Sequence, residues 1–150
     1  ENIFSGDLCI LDANGQVTPH TATETNNIGV FAGVSYTASD GSFVFSRYFP
    51  SGTSATGLIA YVYDDPYIVY RVQSAGTPAQ TNVGNCADVV AGAGSTTTGQ
   101  SGFSLNGTMG TGTATCKIIG LWEDPANSFA QYAQLEVLIN EHLLKATAGI

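Results

Sequence analysis

Two adjacent carboxylates, Asp64 and Asp65, stand between two runs of aromatic and β-branched residues in the stretch 60–71. A carboxylate pair can perform acid–base chemistry when burial or a neighbouring charge separates the two pKa values. Neighbouring residues of a strand point to opposite faces of a sheet, however, so a cooperating pair normally comes from separate segments. Asp before Pro66 is also ordinary turn chemistry, because the residue before proline favours extended backbone and Asp caps its own backbone. We therefore predict an acidic turn between two strands.

A second acidic pair, Glu123 and Asp124, precedes Pro125 and is interpreted in the same way. Nothing in the sequence brings the two pairs together, and residues 12–16 lack the run of acidic ligands that an EF-hand calcium loop carries. The chain has no G-x-S-x-G nucleophile motif. Its Gly-rich stretch 91–102 is not followed by the Lys-Ser/Thr of a phosphate-binding loop. We expect no catalytic residue, no bound metal and no cofactor.

The three cysteines, Cys9, Cys86 and Cys116, cannot all pair within one chain, and none stands in a C-x-x-C motif. We predict reduced thiols buried as small hydrophobic side chains, with one disulfide and one free thiol as the alternative. Apolar surroundings should raise the pKa of the thiols of Cys9 and Cys116. His20 and His142 show no zinc-ligand spacing with the cysteines or with each other.

The composition limits the partners of this chain. Its 150 residues are enough for one ordinary domain. Twelve acidic side chains against four basic ones would be repelled by phosphate backbones and anionic lipid heads, so we expect no nucleic-acid or membrane partner. No stretch approaches the roughly 20 apolar residues that cross a bilayer. Only 11% of the residues are charged, which predicts a neutral polar surface suited to contact with other protein.

Short β-prone runs, separated by Gly, Asn, Asp, Pro and Thr, recur at intervals typical of sandwiches and barrels. We predict an all-β, mainly antiparallel fold: a small barrel-like or sandwich-like domain with long Gly/Thr-rich loops and at most one short helix. One hairpin is expected from strands at 8–11 and 17–20, joined by an Asn-Gly turn. A second is expected from strands at 28–36 and 43–49. Other strands are predicted at 58–63, 67–72, 86–90 and 113–121.

Alternating apolar and polar side chains in residues 134–142 predict a strand with Leu135, Val137 and Ile139 facing inward. Helix over residues 128–145 is the competing interpretation, because Ala, Gln, Leu, Glu and Lys favour it. Loops are predicted by composition at 50–57, 75–84, 91–102 and 122–127.

Five motifs follow one another along the chain: NIFSGDL at 2–8, IGVFAG at 28–33, FSRYFPSGT at 45–53, AYVYDDP at 60–66 and VLINEH at 137–142. Together, in this order, they resemble a family of small virion structural proteins of tailed bacteriophages, usually taken as head decoration or capsid cement proteins. The opening pattern of a Gly-led strand, an Asn-Gly turn and a Val-Thr-Pro return is also similar to the lambda-type decoration fold. The stretch 92–115 is the part least like this family.

The resemblance implies a single β-rich domain at 6–150, preceded at 1–5 by the end of an N-terminal arm. It implies a protein made in the bacterial host cytoplasm that sits on the outer surface of the capsid and clasps neighbouring major capsid proteins. Copies of the chain would associate as trimers or other small clusters. The residues expected to form these contacts are Asn2, Ile3, Phe4, Tyr48, Phe49, Pro50, Tyr61, Tyr63 and Tyr67.

Two other functions remain as alternatives. The first is a head-fibre base or a carbohydrate-binding adhesion module of the virion, in which exposed tyrosines and Trp122 stack on sugars. The second is a small hydrolase that uses Asp64 or Glu123 with a partner residue.

Overall fold

The computed structural model describes residues 1–145, which fold into an all-β, mainly antiparallel structure, as predicted. Two short 3₁₀ helices, Gln80–Asn82 and Leu143–Lys145, accompany the strands. The strands, in chain order, are β1 (Ile3–Phe4), β2 (Leu8–Leu11), β3 (Val17–Pro19), β4 (Asn27–Ala38), β5 (Phe43–Ser46), β6 (Tyr48–Phe49), β7 (Ala55–Tyr63), β8 (Tyr70–Gln73), β9 (Cys86–Ala87), β10 (Val89–Val90), β11 (Ser104–Leu105), β12 (Cys116–Leu121) and β13 (Gln134–Ile139).

The first half of the chain builds a five-stranded antiparallel sheet around β4. β2 pairs with the beginning of β4 and β5 pairs with its end, while β7 runs along the opposite edge. β3 extends the sheet from β2, so the first predicted hairpin is confirmed. Its turn is stabilised by Asp12, whose carboxylate accepts backbone hydrogen bonds from Asn14 at 2.9 Å and Gln16 at 2.8 Å. Gly15 supplies the positive φ, 74°, that this turn requires.

The second predicted hairpin forms, but it is shorter than expected. β5 ends at Ser46, whose hydroxyl donates to the carbonyl of Tyr48 at 2.7 Å and holds a sharp turn there. Tyr48 and Phe49 then form β6, which pairs with β1 and not with β4. The predicted loop at 50–57 is also too long, because β7 already begins at Ala55.

The second sheet has the order β8-β13-β12-β9 and is antiparallel throughout. The strand interpretation of 134–142 is confirmed for Gln134–Ile139. Leu135, Val137 and Ile139 are at most 2% exposed, as the alternation predicted. They form one hydrophobic cluster with Leu8 of the first sheet, so this cluster joins the two sheets.

All three cysteines are free thiols. Cys9 and Cys116 are buried in the core, as predicted, and burial raises the pKa of each thiol to about 12. Cys86 is only half-buried. The expectation that the cysteines act as small hydrophobic side chains therefore fits Cys9 and Cys116 best.

Glycines hold the long loops in place by close backbone crossings. A Cβ at Gly92 would collide with the carbonyl of Gly102, and a Cβ at Gly102 would collide with the carbonyl of Ala93. A Cβ at Gly76 would lie 2.5 Å from the Cα of Gly107. These approaches are possible only without side chains, which gives the Gly-rich stretch 92–115 a structural role.

We expect Gly92→Ala to lower the free energy of unfolding by about 1–3 kcal/mol, because its methyl group forces two backbone segments apart. Gly112→Ala is the matched control: a Cβ there meets nothing within 4 Å, so its effect should stay within about 0.5 kcal/mol. Urea denaturation of the two variants measures the difference. Equal stability of the two variants would contradict the close approach of the backbone at Gly92 to the carbonyl of Gly102.

A buried polar network ties the C-terminal part of the chain to β4. The amide of Asn27 donates to the carbonyls of Glu24 at 3.0 Å and Glu141 at 2.9 Å, and its oxygen lies 2.8 Å from Nδ1 of His20. The neighbouring His142 is 1% exposed, and its Nδ1 accepts a hydrogen bond from the backbone of Leu144 at 3.2 Å. Burial lowers the pKa of His142, and the charge of Lys145 lowers it further.

His142 should make stability depend on pH. The imidazole of the unfolded chain takes up its proton near pH 6.5, whereas the folded chain resists protonation to lower pH. The free energy of unfolding of the natural protein should therefore fall relative to that of His142→Gln between about pH 7.5 and 5.5. The fall is at most about 1.4 kcal/mol, because pH 5.5 lies one unit below the pKa of the unfolded imidazole. Thermal unfolding at a series of pH values measures this difference. If the free energies of unfolding of the two proteins change in parallel with pH, His142 is not the group responsible.

Candidate interaction surface

The outward face of the five-stranded sheet combines small residues in the middle with large apolar residues on both sides. Ser35 of β4 is opposite Phe45 of β5 and Ile59 of β7, and Gly33 is opposite Tyr61. Directly opposed residues of an antiparallel pair share one face of the sheet. Alternation along β5 and β7 adds Phe43 and Tyr63. We call the set Phe43, Phe45, Ile59, Tyr61 and Tyr63 the aromatic face.

The side chains of the aromatic face are largely exposed, in fractions of 73%, 69%, 55%, 42% and 58% in the order given. With roughly 200 Å² for a side chain of this size, the exposed area is about 600 Å². The largest apolar patch of an ordinary monomer is about 300–600 Å² and is often functional. The aromatic face therefore lies at the upper end of what a monomeric surface carries.

The rings of this surface are held in position by one another. Phe45 and Tyr61 come from strands on opposite sides of β4, and their ring centroids are 5.6 Å apart with an interplanar angle of 47°. The hydroxyls of Tyr61 and Ser35 lie 3.1 Å apart, and Ser35 is only 2% exposed. At Gly33 a Cβ would lie 3.9 Å from the ring of Phe45. The small residues Gly33 and Ser35 thus leave a floor on β4 against which the rings of Phe45 and Tyr61 pack. Because these rings are already ordered, they lose little conformational entropy when a partner binds.

The two strands that carry the aromatic face also have unpaired edges. Within residues 1–145, β5 and β7 each pair with β4 alone. β7 is nine residues long and contains no charged residue, although proteins usually protect an edge strand with charge or proline. Its backbone donors and acceptors are available for strand addition by another chain.

The acidic pair lies where β7 leaves this surface. Asp64 and Asp65 connect two strands, as predicted, but β7 and β8 belong to different sheets and do not pair as a hairpin. The carboxylate of Asp65 accepts a hydrogen bond from the backbone of Tyr67 at 2.8 Å, and the hydroxyl of Tyr70 donates to the carbonyl of Tyr63 at 2.8 Å. Burial raises the pKa of Tyr70 to about 12, and the two carboxylates add to this shift. Among the described residues, no group of three or more His, Cys, Asp and Glu could hold a metal ion.

The nine predicted contact residues divide into exposed and buried sets. Tyr61, Tyr63 and Tyr67 are exposed, Tyr67 to 76%. Tyr48, Phe49 and Pro50 are half-buried. Asn2 is exposed and accepts a hydrogen bond from the backbone of Ser51 at 2.7 Å.

Ile3 and Phe4 lie inside the fold. They are 8% and 7% exposed, and the ring of Phe4 stacks on that of Tyr48 with centroids 5.4 Å apart. β1 pairs with β6 within the domain, whereas the expectation that residues 1–5 end an N-terminal arm stays a prediction. The apolar area of Ile3 and Phe4 is already buried within the chain, and a contact of these two residues with a partner stays a prediction.

Three members of the aromatic face were missing from the predicted contact surface: Phe43, Phe45 and Ile59. The two phenylalanines are the larger omission. The signal was present in Phe43-Val-Phe-Ser46, where two phenylalanines alternate with a valine and a serine. Such a strand is apolar on both faces, so the pattern alone does not show which face is buried.

Comparisons of this chain with models of known families, with curated proteins and with solved structures found no match. In residues 1–145, no helix has the length and apolar character needed to span a bilayer.

We expect the variant Phe43→Thr/Phe45→Thr to unfold within about 1 kcal/mol of the natural protein, since both rings are mainly exposed. Binding of a hydrophobic fluorescent dye should fall several-fold in the same variant. Phe31→Ala is the comparison: Phe31 is 1% exposed, so its truncation should cost about 3–5 kcal/mol. A double variant as unstable as Phe31→Ala would show that the two rings belong to the core.

Proposed function

We propose that this chain is a structural protein of a tailed-bacteriophage virion, which binds the outer surface of the capsid and stabilises contacts between major capsid proteins. The observation that carries the proposal is the aromatic face, an ordered and exposed apolar surface of about 600 Å² on a sheet with unpaired edges. The five sequence motifs that resemble capsid decoration proteins supply the class of partner.

The size of the aromatic face is suited to a specific protein contact. A standard interface buries about 800 Å² on each partner, and its core is mainly apolar with aromatic residues enriched. Burial of the aromatic face would provide most of that area from one partner. A few kcal/mol of net binding per copy is sufficient, because each copy bound to the assembled capsid shifts the equilibrium away from its disassembly.

The charge of the chain supports a position outside the shell. The formal net charge is −8, and negative charge is repelled by the phosphates of packaged DNA. The aromatic face itself contains no charged residue, so contact with a capsid protein need not bury an unpaired charge. The free edges of β5 and β7 offer a further contact, by strand addition, with a capsid protein or with copies of this chain in a trimer or other small cluster.

The test uses particles of the phage that encodes this chain, stripped of it and then reconstituted. The natural protein should bind at a copy number near that of the major capsid protein and raise the temperature at which DNA is released. Phe43→Thr/Phe45→Thr should bind at least about tenfold more weakly, the effect of losing about 1.4 kcal/mol. Gly112→Ala, as the control, should bind like the natural protein.

Two results would count against this function, and a third would count against the surface assigned to it. Particles that are equally heat-stable with and without the protein would exclude a cementing role. A few copies per virion would favour the head-fibre base or adhesion module. Undiminished binding by the double variant would move the contact away from the aromatic face.

A further inference from the structure

A groove of about 720 Å³ lies beside β12, β13 and the loop that follows β12. It is lined by one indole ring, three carboxylates, two side-chain amides and four apolar side chains. The residues that matter for its chemistry are Gln80, Gly120, Trp122, Glu123, Asp124 and Glu136. This combination of a flat aromatic ring with planar polar groups differs from the uncharged aromatic face.

Gly120 keeps the groove open. It lies at an irregularity of β12, opposite Glu136 of β13. A Cβ at Gly120 would meet nothing within 4 Å, so glycine is not required there by packing. A side chain at this position would extend into free space and reduce the volume of the groove.

The indole of Trp122 is held in place without help from a ligand. The guanidinium of Arg71 lies 4.9 Å from the centre of the ring, and Arg71 is not among the residues that line the groove. The amide of Asn127 donates to the carbonyls of Trp122 and Gln134, both at 2.8 Å, and accepts from the backbone of Gln134 at 3.0 Å. Asn127 thus fixes the backbone at Trp122, and Arg71 contacts the ring itself, which lowers the entropy lost when a ligand stacks on the indole.

Three of the polar side chains that line the groove are not engaged in the fold, whereas those of Asp124 and Asn127 are. Among the described residues, the side chains of Gln80, Glu123 and Glu136 have no hydrogen-bond or ion-pair partner. A second pocket of about 350 Å³ adjoins the groove and shares Asp124 and Asn127 with it. Tyr132, 58% exposed, lines that pocket with a φ of 64°, a conformation that bulky side chains rarely adopt.

We propose that this groove binds a neutral oligosaccharide. One face of a pyranose ring presents C–H groups that stack on an indole, while the hydroxyl groups at its edge donate to carboxylates and accept from amides. Three carboxylates line the groove, against the single guanidinium of Arg71, which contacts the indole and lines the adjoining pocket. The net negative charge therefore disfavours sulfated sugars and uronic acids. The ligand class is therefore an uncharged hexose or N-acetylhexosamine chain. This proposal does not depend on capsid binding, because it uses different residues.

Trp122 is the only tryptophan of the chain, so its fluorescence reports directly on the groove. The probes are maltohexaose, cellohexaose, chitohexaose and, as the anionic comparison, hexagalacturonate. We expect at least one neutral hexasaccharide to change the emission of Trp122 saturably, with a Kd of about 1 mM or tighter. Hexagalacturonate should produce no change.

Gly120→Val should weaken this binding at least tenfold by filling the groove, with an unchanged thermal unfolding temperature. Glu123→Ala, which alters an exposed side chain, provides a second variant with the same expected direction if Gly120→Val folds poorly. Gly112→Ala should bind like the natural protein. Gly120→Val should also bind stripped capsids normally, which separates this site from the aromatic face.

The proposal is overturned if no neutral hexasaccharide changes the emission of Trp122. It is also overturned if hexagalacturonate binds as tightly as the neutral sugars, or if the folded groove variants bind the sugar undiminished.

Discussion

The register of β4, with an irregularity that places Phe31 and Gly33 on opposite faces, is the constraint on which the rest of the structure depends. This twelve-residue strand pairs with β2, β5 and β7. One of its faces packs in the core, and the other lies beneath the exposed aromatic side chains. Phe31, Val34 and Tyr36 are buried in one hydrophobic cluster, whereas Gly33 and Ser35 form the floor beneath the aromatic rings. A shift of one residue in its pairing would exchange the two faces. The core and the exposed surface are therefore fixed by the same register.

Some large apolar side chains of this protein are buried in the fold, whereas others of the same kind remain exposed on its surface. Ile3 and Phe4 at the beginning of the chain are used inside the fold, where Phe4 stacks on Tyr48. Phe43 and Phe45 remain outside at 73% and 69% exposure. Exposed phenylalanines on an edge strand favour aggregation unless another surface covers them. A partner that buries them resolves this conflict, and the acidic net charge opposes non-specific association in its absence.

Local features of the fold could be predicted from the sequence, and long-range pairings could not. The turn at Asp12 and Gly15 follows from side-chain capping and positive φ, and the strand Gln134–Ile139 follows from alternation. The connection at Asp64 was predicted as a turn, but its two strands pair in different sheets, which depends on contacts distant in sequence. The outward direction of Phe45 could not be predicted either, because its strand is apolar on both faces. The groove at Trp122 depends on the space that a glycine leaves in a neighbouring strand, and no motif describes such a space.

Hydrogen–deuterium exchange on free and capsid-bound protein tests the central claim most directly. Amides on the unpaired edges of β5 and β7 have no partner within residues 1–145, so they should exchange rapidly in the free protein. We expect peptides covering Phe43–Ser46 and Ala55–Tyr63 to become protected on the capsid, while peptides covering the groove at Trp122 keep their exchange rates. Unchanged exchange in both strands of capsid-bound protein would contradict the claim that this chain acts through its aromatic face.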